Sequence, residues 1–167
     1  KALYRRKWEE NFGPTDFSFD RGDVHYVCIN NCFFHRGMSY YSPGELRERQ
    51  VKWLKQNLAL TPKDKKVVLC YHIPFTFGNA PFSKAKPLTN ANEEGHYSSS
   101  RLSLLLSLLK PFKGGYELFC GHTHFACNHE INYEGEDVME HCHAAACGNI
   151  WQSNINICGT PNGYYVY

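Results

Sequence analysis

Two histidines separated by a single residue, His122 and His124, follow directly after a short apolar run. The run covers residues 116–120 (YELFC), and Gly121 separates it from the histidines. An apolar run of this length with a glycine at its end is typical of a buried strand that stops there. Residues i and i+2 of an extended segment lie on the same side, with Cα atoms about 6.6 Å apart. The sequence therefore predicts two imidazoles that face one pocket, as in a metal site.

The spacing of these histidines fits two kinds of metal site. Catalytic metal pairs lie about 3.5–4 Å apart, so each imidazole could hold one ion of a pair, or both could share a single ion. A third histidine favours a metal site: His72 follows residues 66–71 (KVVLCY), and Pro74 prevents that strand from continuing. Ligands collect at the carboxyl ends of strands in α/β sheets. We therefore expect His72, His122 and His124 to converge.

The composition indicates a globular domain. Of the 167 residues, 43% are hydrophobic and 15% are aromatic, which suffices for a buried core. The formal net charge is only +2, and no basic stripe for nucleic acid is present. No apolar run approaches the length of a membrane span, and no signal peptide is visible. Because the chain begins with Lys1 and not with methionine, we expect its natural start to be missing, so the absence of a targeting segment does not indicate the compartment.

The eight cysteines are not spaced as in a zinc ribbon, because no C-x-x-C occurs. Cys28, Cys70 and Cys120 lie within predicted strands, where cysteine acts as a small hydrophobe. If the protein is exported, disulfides can form among the remaining candidates. These are Cys127, Cys142, Cys147 and Cys158.

The first part of the chain predicts a helix followed by a β-hairpin. Residues 1–11 favour a helix, and residues 17–20 and 24–30 favour two strands. Gly22 and Asp23 between the strands are ordinary turn residues, which we prefer to a Gly-Asp metal motif. His25 is then a packed or solvated strand residue. Residues 31–42 show no period and are predicted to be a loop.

Two further helices are predicted. Ser42 and Pro43 are typical of a helix cap and first turn, and the helix should continue to the Thr61-Pro62 stop. Its apolar stripe consists of Leu46, Val51, Leu54 and Leu58. The second helix, over residues 100–109, is apolar on most of its circumference and should be buried.

A long loop and a second hairpin complete the prediction. Residues 75–100 are rich in Pro, Asn, Ser and Gly, and a loop of this length is typically a functional cover. The polar candidates for substrate contact in this loop are Asn79, His96 and Tyr97. Residues 125–133 and 137–146 favour a hairpin, on which we expect His141 and His143 to be packed or solvated rather than ligands.

Four segments, in this order, resemble the second half of a calcineurin-like metallophosphoesterase domain. They are FSFDRGDVHYVCIN at 17–30, ERQVKWLKQNL at 48–58, VVLCYHIPF at 67–75 and ELFCGHTHF at 117–125. The closing segment, CGNIWQSNINICGTPNGYYVY at 147–167, is similar to the C-terminal continuation of bacterial, often exported, members. The resemblance implies an α/β fold, a partial ββαββ sandwich of mixed sheets with flanking helices. Residues 1–147 would form the C-terminal half of the domain, and 148–167 a truncated extension.

The resemblance also implies a dinuclear site for two divalent metal ions, Zn, Mn or Fe. His72 and His122 match ligands of one ion, and His124 matches a ligand of the other. The earlier ligand motifs, D-x-H, G-D-x-x and G-N-H-D/E, are absent from this sequence, because Gly22-Asp23 occurs too late in the chain to be the second of them. The general-acid histidine is expected upstream. The implied activity is hydrolysis of a small phosphomonoester or phosphodiester, with this chain inactive without the N-terminal half of its domain. His96 and Trp151 are the expected substrate-binding residues, and the family favours a periplasmic or exported location.

Two other classes of function stay open on the residues alone. The histidines could be structural, in a metal-free or single-metal binding module. The chain could also be a small secreted domain held by disulfides, although its apolar runs suffice for a core without them.

Overall fold

The described part of the chain folds as an α/β protein. The structure, a computed structural model, describes residues 2–34, 41–42, 46–76, 82–84, 101–123, 126–144 and 166. Within those ranges, no helix is long and apolar enough to cross a membrane. The helices are α1 (Ala2–Phe12), α2 (Glu48–Leu60) and α3 (Leu102–Leu109). The strands are β1 (Phe17–Arg21), β2 (Val24–Cys28), β3 (Phe33–Phe34), β4 (Tyr41–Ser42), β5 (Lys66–Cys70), β6 (Phe82–Lys84), β7 (Tyr116–Cys120), β8 (Cys127–Tyr133) and β9 (Glu136–Cys142).

A mixed sheet dominates the fold, with strand order β1-β2-β5-β7-β9-β8-β6. Its centre is parallel, because β2, β5, β7 and β9 pair in the same direction. The two hairpins, β1–β2 and β8–β9, are antiparallel, and β6 pairs with β8 in parallel. Helix α2 connects β2 to β5, and α3 connects β5 to β7, as parallel neighbours require. The carboxyl ends of β2, β5 and β7 therefore meet at one edge of the sheet.

The hydrophobic core lies between one face of this sheet and helices α2 and α3. Alternate residues of the strands are buried, as a sheet covered on one face requires. Val27, Leu69 and Leu118 of the central strands pack in one cluster with Leu54 of α2 and Leu105 of α3. The two helices also contact each other. This packing fixes the order of the strands whose ends carry the candidate site.

The structure confirms the predicted α/β class and most of its elements. The helix at the start, both hairpins, the strand before His72 and the strand before Gly121 lie where the sequence predicts them. Gly22 has a φ of +58°, in agreement with its assignment to the turn of the first hairpin. His25 is buried, and its ring nitrogens lie 2.6 Å from Asp20 Oδ1 and 2.9 Å from Asn57 Oδ1.

Three predictions of local structure are wrong. Helix α2 begins at Glu48 and not at Ser42. The predicted 31–42 loop contains a short ladder in which Ser42 pairs with Phe33, so Ser42 is not available as the helix cap. The Gln50 side chain accepts a hydrogen bond from the Arg47 backbone N–H and so closes the first turn without the predicted serine. The predicted 75–100 loop contains β6, which pairs with β8.

The described cysteines are free thiols. Cys120, Cys127 and Cys142 are buried, whereas Cys28 and Cys70 are half-buried. No disulfide joins Cys127 to Cys142, although the two are directly opposite each other on β8 and β9. The predicted partners Cys147 and Cys158 lie outside the described residues.

Gly114 sets how closely the chain before β7 approaches the start of β5. A Cβ atom at Gly114 would lie 2.5 Å from the Lys65 carbonyl carbon and 2.5 Å from the Lys66 nitrogen, both backbone atoms. We expect Gly114→Ala to lower the free energy of unfolding by about 2 kcal/mol, because backbone at this distance must shift. Urea denaturation measures the change. Gly22→Asn is the control, since nothing lies within 4 Å of its Cβ position and Asn tolerates positive φ; an equal loss in both variants would contradict the steric explanation.

Candidate metal centre

The pairing of β5 with β7 brings His72 and His122 to the same point of the sheet edge. Cys70 is opposite Phe119 in the parallel ladder. The pairing continues past both strands, because the Tyr71 N–H donates to Phe119 O at 3.0 Å and the Gly121 N–H donates to His72 O at 3.0 Å. His72 and His122 therefore leave the sheet side by side, although fifty residues separate them in sequence.

The backbone turns sharply at His122. Its φ is +70°, in the left-handed region that costs a non-glycine residue about 1–2 kcal/mol. The Thr123 N–H donates to Gly121 O at 2.8 Å, which tightens this turn. Strained residues of this kind are concentrated at functional sites, where the surroundings hold them in place. Here the turn directs the chain away from β7 immediately after the first histidine.

The two imidazoles are close enough to hold one ion. His122 Nδ1 lies 3.1 Å from His72 Nε2, and the ring centroids are 5.0 Å apart with an interplanar angle of 77°. In a tetrahedral zinc site with Zn–N distances of 2.0–2.1 Å, two ligand nitrogens are about 3.3 Å apart. The observed separation thus agrees with two adjacent positions of a coordination sphere. His72 is exposed and His122 is half-buried, so the pair is accessible from solvent.

Asn31 holds the backbone that carries His72. Its side chain is fully buried, and Oδ1 accepts hydrogen bonds from the His72 N–H at 3.1 Å and the Ile73 N–H at 3.0 Å. Its Nδ2 donates to Ile73 O at 2.7 Å. Asn31 comes from the segment after β2, so the amide ties the carboxyl ends of β2 and β5 together. The orientation of His72 is therefore set by tertiary contact, not by its own strand alone.

Glu140 of β9 holds the other side of the same turn. Its carboxylate is fully buried and accepts hydrogen bonds from the Tyr71 hydroxyl at 2.5 Å and the Phe75 N–H at 2.7 Å. The Thr76 N–H donates to it at 3.1 Å, and the Thr76 hydroxyl donates to it as well. These donors flank His72 on both sides. The segment 71–76 is thus wrapped around one buried carboxylate.

Burial is the main influence on the ionisation of this network. Burial raises the pKa of Glu140, while the hydrogen bonds from Thr76 and Tyr71 act against that increase. Burial also raises the pKa of Tyr71, with a further increase from the neighbouring Glu140 charge. Tyr71 therefore stays protonated and donates its hydrogen bond.

Cys142 supports the turn that carries His122. Its thiol donates to Gly121 O at 2.9 Å, and its Sγ lies 3.1 Å from Thr123 Oγ1. Because Cys142 is opposite Cys120 in the β7–β9 ladder, the turn after β7 rests on the end of β9. Strand β9 thus contacts both histidine-bearing segments, through Glu140 and through Cys142.

His141 and His143 pack against β7 beside the site. Their rings lie 5.3 Å and 5.4 Å from the Phe119 ring, in edge-to-face arrangements. His141 Nδ1 also lies 2.7 Å from Asn128 Oδ1. Burial lowers the pKa of both histidines, so both favour the neutral form. Their position is that of packed residues, as the sequence predicts.

The structure places only part of the predicted site. It brings His72 and His122 together, whereas His124, His96 and Trp151 lie outside the described residues, as do the loop candidates Asn79 and Tyr97. Among the described residues, no three His, Cys, Asp or Glu side chains form a group that could hold a metal ion. The described residues therefore bring together two nitrogen atoms that could act as ligands, fewer than the four ligands that a zinc ion takes.

Sequence reasoning missed Asn31 and Glu140. Asn31 lies in the segment 31–42 that the sequence predicts to be a loop, and no neighbouring residue in the sequence points to a contact with His72. Glu140 carried a signal, because it alternates with Val138 and Cys142 and so falls on the buried face of its strand. A carboxylate in such a position must find donors inside the protein.

Comparison of the sequence with protein families and with curated proteins adds no relative. No model of a protein family matches the sequence, and no curated protein matches it significantly.

Replacing the buried carboxylate tests its role in holding the His72 turn. Glu140→Gln replaces one carboxylate oxygen by an NH2 group. If that oxygen is Oε2, the backbone N–H and the hydroxyl of Thr76 lose their acceptor inside the protein. Each unsatisfied buried donor costs about 1–3 kcal/mol, and we expect the free energy of unfolding to fall by about 2 kcal/mol or more. Urea denaturation measures it, with exposed Glu136→Gln on the same strand as the control. A change below about 0.5 kcal/mol would show that the network contributes little.

Proposed function

We propose that this chain supplies part of the metal centre of a calcineurin-like metallophosphoesterase that hydrolyses a small phosphomonoester or phosphodiester. The observation that carries the proposal is the 3.1 Å separation of His72 Nε2 and His122 Nδ1 at the carboxyl ends of adjacent parallel strands. The motif order in the sequence supports it, since the same two histidines match ligands of one ion in that family. Imidazole ligands suit Zn, Mn and Fe, and we propose two such ions in the complete protein.

The proposed roles of the chain's own residues follow from their contacts. His72 would bind an ion through Nε2 and His122 through Nδ1, and both rings must be neutral to do so. Asn31 and Glu140 fix the backbone around His72, and Cys142 fixes the turn at His122. When bound, paired divalent ions neutralise the phosphate oxygens and lower the pKa of a bound water. The remaining ligands would be His124 and acidic residues of the N-terminal half of the same domain.

The sheet has a surface on which that N-terminal half could pack. The helices cover one face, and the opposite face carries aromatic side chains that include Phe19, Tyr26 and Phe119. Phe19 is 48% exposed and stacks on Tyr26 with ring centroids 5.0 Å apart. We propose that a second sheet covers this face, which would complete a ββαββ sandwich. The proposed substrate contacts of His96 and Trp151 rest on their places in the sequence, and the proposed periplasmic or exported location rests on the resemblance alone.

Removal of one imidazole tests the proposal. In the full-length protein we expect His122→Ala to reduce turnover of nitrophenyl phosphate by about a hundredfold or more and to reduce the amount of bound metal. Loss of an outer-shell partner of a metal already lowers activity by about 10–100-fold, and a direct ligand should matter at least as much. Turnover and metal content by mass spectrometry measure the two effects. His141→Ala is the control, since that ring packs on Phe119. Unchanged turnover in a folded His122→Ala protein would reject the assignment.

A single-metal or metal-free binding module is the second candidate. The same 3.1 Å separation also fits a direct hydrogen bond between neutral imidazoles, one donating and the other accepting. Zinc titration of the full-length protein separates the two functions. Two bound ions with phosphatase turnover favour the enzyme, whereas one ion or none, without turnover, favours the module.

A further inference from the structure

A polar cavity lies between helices α1 and α2. It has a volume of about 250 Å³ and is lined by Arg5, Asp16, Arg49, Gln50 and Trp53. None of these residues belongs to the candidate metal centre or supports it directly. The cavity therefore needs an explanation of its own.

The floor of the cavity is fixed by hydrogen bonds. The Gln50 side chain is buried, and its Nε2 donates to Asp16 Oδ1 and to Asn30 O, both at 2.7 Å. Its Oε1 accepts from the Arg47 N–H at 2.9 Å. Asp16 Oδ1 also accepts from the Asn30 N–H at 2.9 Å. Gln50 and Asp16 are thus held in place before any ligand enters.

Positive charge exceeds negative charge around this floor. Arg5 Nε is paired with Glu9 at 2.8 Å, whereas Arg49 is exposed and makes no ion pair within the described residues. Burial lowers the pKa of nearby Arg47, the charges of Arg49 and Arg5 lower it further, and the charge of Asp16 acts against this decrease. Two guanidinium groups, those of Arg5 and Arg49, thus line the cavity with the Asp16 carboxylate, and Glu9 is the partner of Arg5. The nearby Glu48 is paired with Arg101 at 2.8 Å.

The shape and chemistry of the cavity define a class of ligand. A guanidinium presents a planar fork of N–H donors that matches the oxygens of phosphate and carboxylate groups. The volume is below the roughly 300–1,000 Å³ of pockets for drug-sized ligands, so the ligand must be small. We propose that this cavity binds a phosphate-type oxyanion between Arg5 and Arg49, with the Trp53 ring as its apolar wall. This binding does not depend on the proposed metal centre.

Trp53 can report the binding directly. In a Trp8→Phe, Trp151→Phe background it is the sole tryptophan, because the chain contains three. We expect inorganic phosphate, added with a metal chelator at constant ionic strength, to change its fluorescence saturably. Arg49→Ala should weaken phosphate binding about tenfold, the effect of losing about 1.4 kcal/mol from one charge-assisted contact. Arg21→Ala, an exposed arginine on β1, is the matched control and should leave the affinity unchanged.

Two further measurements complete the test. In the protein with all its tryptophans, the Arg49 side-chain Nε–H resonance should shift with phosphate in ¹H–¹⁵N NMR spectra, while that of Arg21 should not. In a parallel titration, phenyl phosphate replaces inorganic phosphate. Saturable binding of phenyl phosphate identifies the phosphate group of an ester as a ligand. If inorganic phosphate binds and phenyl phosphate does not, the site is restricted to the free ion. A fluorescence response that does not saturate, that chloride reproduces, or that Arg49→Ala leaves intact would overturn the proposal.

Discussion

The parallel pairing of β5 with β7 is the constraint on which the candidate site depends. Each strand alone is followed, two residues after its end, by a histidine with no defined neighbour. The ladder places Cys70 opposite Phe119, and one further hydrogen bond, from the Gly121 N–H to His72 O, carries the register beyond the strands. A slip of one residue would turn His72 to the other face of the sheet. The close approach of Gly114 to the backbone at Lys65 and Lys66 supports the same pairing from the opposite end.

The second level of organisation is a pair of buried polar side chains. Asn31 and Glu140 approach the 71–76 segment from strands on either side of β5 and β7, and between them they bind the backbone of His72, Ile73, Phe75 and Thr76. A segment that leaves a sheet would otherwise lack partners for these groups. A buried carboxylate is unfavourable unless donors surround it, and the turn provides them. The geometry of His72 is thus part of the core and not a property of a surface loop.

The candidate metal centre and the polar cavity between α1 and α2 share one structural connection. Gln50 of the cavity donates to the carbonyl of Asn30, and the next residue, Asn31, binds the backbone of His72. Two consecutive residues after β2, Asn30 and Asn31, therefore contact the two features. Both asparagines are polar, and Asn31 is fully buried, because this short segment holds the cavity and the His72 backbone in place.

The sequence by itself determined the α/β class, the hairpins, the strands before His72 and Gly121, and the apolar faces of α2 and α3. These features depend on local periodicity and on glycine and proline breakers. It also indicated that His72 and His122 belong to one site. It misplaced the start of α2, since the cap there is the side chain of Gln50 and not Ser42. Only the tertiary structure decided the 3.1 Å separation of the two ring nitrogens, the role of Asn31 and the hydrogen-bond partners of Glu140. These depend on which strands become neighbours, and contacts between residues forty to seventy positions apart leave no local pattern in the sequence.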